Sequence, residues 1–147
     1  MTNQAASFLL AVQFLTRLPV PGWFTYTEAR MAASAAYYPL VGALIGALCS
    51  AVFWGASLLF PPLVSVIIAL AAGLLITGAF HEDGLADTFD GIGGGHTRES
   101  ALEIMRDSRL GTYGTAALVA ALALKTATLT ALPTHILLLA FPAAHGL

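Results

Sequence analysis

Residues 39–60 and 62–80 form two apolar runs without a charged side chain, meeting at Pro61-Pro62. Each is close to the roughly 20 residues that a helix needs to cross the hydrocarbon of a bilayer. Inside lipid every backbone N–H and C=O must find its partner within the protein, so spanning segments are helices or closed barrels. The predicted fold class is therefore all-α, a polytopic transmembrane helical bundle. Composition agrees: 10% of residues are charged and mean hydropathy is +0.82, whereas a soluble domain averages about 25% charged. Gly42 and Gly46, with Ala43 and Ala47, recur at i, i+4 and would let another helix approach the first run closely.

The rest of the chain extends this plan. A third span is expected over 115–132, interrupted by Lys125, which should face the bundle interior against a carboxylate or a polar cavity. Residues 134–147 read as the start of a further span, so 1–147 is expected to be a single membrane domain, incomplete at its C-terminal end. Near the other end, residues 5–18 are apolar but short and contain Gln13 and Arg17, which suits an interfacial helix. No basic leader or small-residue cleavage site marks a signal peptide. Trp23, Phe24 and Tyr26 read as an interfacial aromatic belt. Cys49 is the one cysteine, so no disulfide framework exists.

Charge distribution sets orientation and excludes one class of partner. Arg17 and Arg30 precede the hairpin of the first two spans, while Arg98, Arg106 and Arg109 follow it. Only Lys125 is elsewhere. Basic residues favour the cytoplasmic side, so the segment 81–113 is expected at the cytoplasmic face of a multi-pass protein of the cell (inner) membrane, in contact with lipid. Net charge is −2, and no basic cluster points to nucleic acid.

That segment carries the chemistry. Asp83, Asp87 and Asp90 stand at i, i+4 and i+7, so their carboxylates share one helix face. Like charges so placed repel by some tenths of a kcal/mol per pair. A hard divalent cation such as Mg²⁺ removes the repulsion, taking carboxylate, water and phosphate oxygens. Glu82 points about 100° away from Asp83 and is the weaker candidate, and His81 is a candidate ligand or support for one. Gly93, Gly94 and Gly95, following Gly91, predict a loop with φ > 0 whose N–H groups approach phosphate. Residues 98–109 predict an amphipathic helix with Arg98, Arg106 and Arg109 on one arc and Glu99, Glu103 and Asp107 beside it. Arg106 and Arg109 suit phosphate, since the guanidinium fork matches it bidentately. Asp107 is either their orienting partner or another metal ligand.

Three stretches, taken together, carry a resemblance. His81-Glu-Asp-Gly-Leu-Ala-Asp-Thr-Phe-Asp-Gly91, then Leu102-Glu-Ile-Met-Arg-Asp-Ser-Arg-Leu-Gly-Thr-Tyr-Gly114, closely resemble the cobalamin synthase family, the adenosylcobinamide-GDP ribazoletransferases. Phe14-Leu-Thr-Arg-Leu-Pro-Val-Pro21 is similar to that family's opening motif. The resemblance runs from about Phe8 onward, and the family's chains continue through further helices, so an N-terminal fragment is expected.

The resemblance implies an Mg²⁺-dependent transferase that joins adenosylcobinamide-GDP and α-ribazole, or its 5′-phosphate, giving adenosylcobalamin or its phosphate and GMP. It implies a substrate-facing role for Arg17. A homo-oligomer or a pathway complex is left open. Two other classes compete on the residues alone. A CDP-alcohol-type membrane phosphotransferase also aligns aspartates on a helix, and a cation transporter would hold its carboxylates near the bilayer midplane.

Overall fold

The computed structural model describes residues 3–22 and 25–146. Trp23 and Phe24, two members of the expected aromatic belt, lie outside them. Among the described residues all regular structure is helical: α1 (Asn3–Leu15), α2 (Glu28–Ser34), α3 (Tyr38–Ser57), α4 (Pro62–Thr77), α5 (Phe80–Gly94), α6 (Arg98–Ile104), α7 (Thr112–Thr130) and α8 (Thr134–Gly146). This is the all-α architecture of a polytopic helical membrane protein. The chain divides into two compact units, residues 1–78 with 130–147, and residues 79–129.

In the first unit, a 3₁₀ turn over Ala35–Tyr37 joins α2 to α3, giving one apolar helical stretch of 30 residues, Glu28–Ser57. It begins where the Thr27 hydroxyl accepts the N–H of Arg30 at 3.2 Å, satisfying one of the donors that a helix start leaves orphaned. It and α7 are the two helices among the described residues long and apolar enough to cross a membrane unaided. The turn after α3 closes at Pro61, and Pro62 opens α4 at a position where its missing N–H costs nothing. Val41, Ile45, Cys49 and Phe53 of α3 are buried with Val66 and Ala69 of α4.

The small residues of α3 do admit another helix, and that helix is α8. A Cβ at Gly42 would strike the backbone of His145, and one at Gly46 the backbone of Phe141 and Pro142. The close approach lets the Ser50 hydroxyl donate to the Leu138 carbonyl at 2.8 Å. At the other end of α4, Gly78 takes the left-handed conformation at φ 68 and its N–H returns to the Leu74 carbonyl, a glycine C-cap. There the backbone N–H of Arg17 donates to Ile76 at 2.7 Å. A Cβ on Gly78 would collide with the Arg17 side chain, so the arginine lies over the carbonyl end of α4, where a cation is favoured by the helix dipole.

Candidate active site

The second unit consists of α5, α6 and α7, and α5 carries the acidic motif. Its start is sharply defined, because Ala79 is left-handed at φ 58 and the helix begins at the next residue. Such a conformation costs an alanine on the order of 1–2 kcal/mol. Glu82, Ala86, Asp90 and Gly93 then form one strip of α5, and Gly91 and Gly94 another. The first strip meets α7 and its approach, since Gly114 lies against the Ala86 carbonyl and Asp90, and Gly93 lies under the ring of Tyr113. The second meets α6, where Gly91 touches Met105 and Gly94 faces Ile104. Asp83 and Asp87 sit one turn apart between these strips, Asp83 exposed and Asp87 partly buried.

Asp90 differs from the other two aspartates. It is 7% exposed. One carboxylate oxygen accepts the N–H of Gly111 at 2.7 Å and the other the N–H of Gly114 at 2.8 Å. These donors belong to the start of α7, whose N–H groups have no partner within the helix. Among the described residues no three His, Cys, Asp or Glu side chains are gathered so as to hold a metal ion. Asp83 and Asp87 remain as a pair of carboxylates on adjacent turns, which fits a cation that takes one or two protein carboxylates and fills its other positions with water and phosphate oxygens.

The glycine run is helix, not the predicted loop. α5 continues through Gly94, and the positive φ angles among the described residues belong to Gly78 and Ala79. Gly93, Gly94 and Gly95 therefore do not present the left-handed backbone expected of a phosphate-binding turn. They are small because neighbours come close: the Tyr113 ring over Gly93, and the Ala101 backbone against Gly95.

The predicted helix over 98–109 is also shorter. Thr97 and Ser100 form a capping box at its start, but α6 ends at Ile104. Beyond it the Asp107 carboxylate accepts the backbone N–H of Arg109 at 3.1 Å, a local bond that competes with continuing the helix. The same carboxylate accepts from Arg109 Nε at 3.0 and 2.9 Å and forms an ion pair with its terminal nitrogen. Asp107 is thus the partner of Arg109. Those guanidinium bonds hold the Asp107 carboxyl below the ordinary aspartate range, and the carboxylate in turn raises Arg109. Arg106 is exposed and does not share a helix face with Arg109.

Lys125 and His81 each have a neighbour in this unit. Lys125 Nζ lies 3.3 Å from Glu82 Oε1, so the lysine in the third apolar run meets a carboxylate as expected, and that carboxylate comes from the acidic motif itself; its side chain is exposed among the described residues and not turned to an interior. His81 is exposed, edge-on to Phe80 with ring centroids 5.4 Å apart. Arg17 belongs to the first unit. A shallow groove of about 670 Å³ along α7 is lined by Leu110, Thr115, Val119 and intervening small residues. It holds no titratable side chain.

A buried Asp90 receiving Gly111 and Gly114 joins the two halves of the motif, and comparison with known proteins identifies the group to which that motif belongs. A family model described as cobalamin-5-phosphate synthase matches residues 7–147. The chain belongs to that family. Relatives named adenosylcobinamide-GDP ribazoletransferase include one from Vibrio parahaemolyticus, 54% identical over 122 residues, covering 83% of this chain and 46% of the relative. Another, from Leptothrix cholodnii, is 51% identical over 129 residues, covering 88% and 49%. A third, from Shewanella frigidimarina, is 50% identical over 123 residues, covering 84% and 47%. The chain spans about half the length of these curated relatives. No solved structure matches the chain.

Proposed function

We propose that this chain forms part of a membrane-bound transferase that joins adenosylcobinamide-GDP to α-ribazole or α-ribazole 5′-phosphate in the assembly of cobalamin. The observation that carries the reading is about 50% identity, over four fifths or more of this chain, to relatives named for that reaction. The paired carboxylates on α5 supply the chemistry that such a reaction needs. A ribazole hydroxyl oxygen bonds to the phosphorus on the cobinamide side of the diphosphate. The bond from that phosphorus to the bridging oxygen breaks, GMP leaves with that oxygen, and the hydroxyl proton passes to a base.

Asp83 and Asp87 would hold Mg²⁺. When bound, the ion neutralises charge on the diphosphate oxygens. The protein's own contribution is positioning and charge complementarity, which dominate phosphoryl-type transfers. Arg106, exposed just beyond α6, is available to a phosphate oxygen. Arg109 is held by Asp107 in a fixed orientation, which lowers the entropic cost of presenting its guanidinium. Asp83 or Asp87 is within the same cluster as the proposed diphosphate site and can take the hydroxyl proton. The reading places this segment at the cytoplasmic face of the inner membrane, where a nucleotide-activated substrate is met.

The test is an assay of membranes carrying the full-length protein for GMP release from adenosylcobinamide-GDP, with and without α-ribazole. Ribazole-dependent GMP release is expected. Its absence, with CDP-diacylglycerol turned over instead, would overturn the reading.

A further inference from the structure

We propose that Asp90 is a positioning residue, whose carboxylate locks the first turn of α7 onto the acidic helix, and that Asp83 and Asp87 carry the cation site without it. The second half of this statement rests on the function proposed above. The first half does not.

Four features of the contact support it. Asp90 is 7% exposed, so bulk water and a large diphosphate substrate have little access to it. Both of its oxygens are taken by backbone donors, at 2.7 Å from Gly111 and 2.8 Å from Gly114. Those donors stand at the N-terminal end of a 19-residue helix, where the aligned peptide dipoles favour an anion. Finally, both donors are glycines for a steric reason: a Cβ at Gly111 would run into the Asp90 carboxylate, and one at Gly114 into the carboxylate and the Ala86 carbonyl. Asp90, Gly111 and Gly114 therefore act together as a socket.

The socket has a consequence for chemistry. A protein carboxylate occupies the anion-favouring end of α7, so that end is not open to a substrate phosphate. Its task is to fix the helix bearing Asp83 and Asp87 against the start of the third apolar span. Asparagine at position 90 would keep the size but set its NH₂ group against one of the two N–H donors, breaking one arm of the socket.

Residue-resolved hydrogen exchange on the full-length protein in nanodiscs, without divalent cation, tests the socket directly. In the wild type the Gly111 and Gly114 amides should exchange slowly, while those of Thr112 and Tyr113, in the same turn, exchange at least about tenfold faster. Asp90→Asn, and independently Gly111→Ala, should accelerate Gly114 exchange, whereas Asp83→Asn should leave it unchanged. In turnover assays Asp90→Asn and Gly111→Ala should lower kcat while the Mg²⁺ concentration for half-activation stays within about twofold of wild type. Asp83→Asn should raise that concentration.

Equal exchange of all four wild-type amides would overturn the socket. An Mg²⁺ requirement raised by Asp90→Asn as much as by Asp83→Asn, with Gly111→Ala harmless, would return Asp90 to the cation site. If the wild type releases no GMP from the proposed substrates, the proposed function fails, and the exchange rates still decide the socket.

Discussion

Glu82 Oε1 and Lys125 Nζ lie 3.3 Å apart, although 43 residues separate them in sequence. With Asp90 bound at the start of α7 and Glu82 reaching its later part, α5 and α7 run antiparallel and are tied at two points. The Glu82 side chain is 19% exposed and that of Lys125 is 55% exposed, so the described residues do not enclose the pair. A double-mutant cycle with Glu82→Gln and Lys125→Gln should give a coupling of about 0.5–1 kcal/mol in thermal unfolding. The reversed pair, Glu82→Lys with Lys125→Glu, should recover most of the stability lost by either single reversal. Strict additivity in both cycles would show that the two side chains do not interact.

The carboxylates of the proposed cation site lead to a separate expectation. Asp83 and Asp87, one turn apart, repel each other and a diphosphate unless a cation lies between them. Ribazole-dependent GMP release should therefore need Mg²⁺ or Mn²⁺, and Asp83→Asn and Asp87→Asn should each reduce kcat/KM by about a hundredfold or more. Turnover that continues undiminished in excess chelator would rule out the cation.

The exposed pair of Asp107 and Arg109 makes a prediction about pH. Bonds from the guanidinium hold the Asp107 carboxyl below its ordinary value. A carboxyl lowered in the folded state contributes its stability above the unfolded pKa and loses it as pH falls through the folded one. The turn between α6 and α7 should consequently be indifferent to pH from about 5 to 8 and loosen only below the ordinary aspartate range near 3.9. Carboxyl carbon chemical shifts should titrate for Asp107 below that range in the wild type, and within it in Arg109→Gln. Identical midpoints in the two proteins would contradict the pairing.

What the sequence alone discloses follows from periodicity and charge. The apolar runs 39–60, 62–80 and 115–132 correspond to α3, α4 and α7, although α4 ends at Thr77 and is too short to cross a membrane unaided, and the i, i+4, i+7 spacing of the aspartates lies on α5, since helical periodicity is a local signal. Three features do not follow the local pattern, two of them through contacts distant in sequence. Gly93 to Gly95 read as a loop because glycine allows φ > 0 and close backbone approach, yet Gly93 and Gly94 continue the helix, with the Tyr113 ring against Gly93 and the Ala101 backbone against Gly95 just beyond its end. Helical periodicity puts Arg109 on a basic arc, but the Asp107 side chain captures its backbone N–H two residues on and ends that periodicity. Gly111 and Gly114 carry no local sign of their role, because nothing near them indicates that a carboxylate 21 and 24 residues earlier will enter the space they leave.

The packing of α3 on α8 can be tested with alanine alone. At Gly46 a Cβ would meet the backbone of Phe141 and Pro142, which cannot rotate aside as a side chain would. The helices would have to separate, and the 2.8 Å bond from Ser50 to the Leu138 carbonyl would stretch. Within lipid no hydrophobic force favours closing that gap, since the association rests on close van der Waals contact. Gly46→Ala should therefore destabilise the protein by about 1–3 kcal/mol, the usual cost of overpacking. Gly55, in the same helix, has nothing within 4 Å of its would-be Cβ, so Gly55→Ala should be neutral or stabilising by up to about 1 kcal/mol through helix propensity. Thermal unfolding of both variants in one detergent makes the comparison, and equal melting temperatures would mean that α8 does not rest on α3 at Gly46.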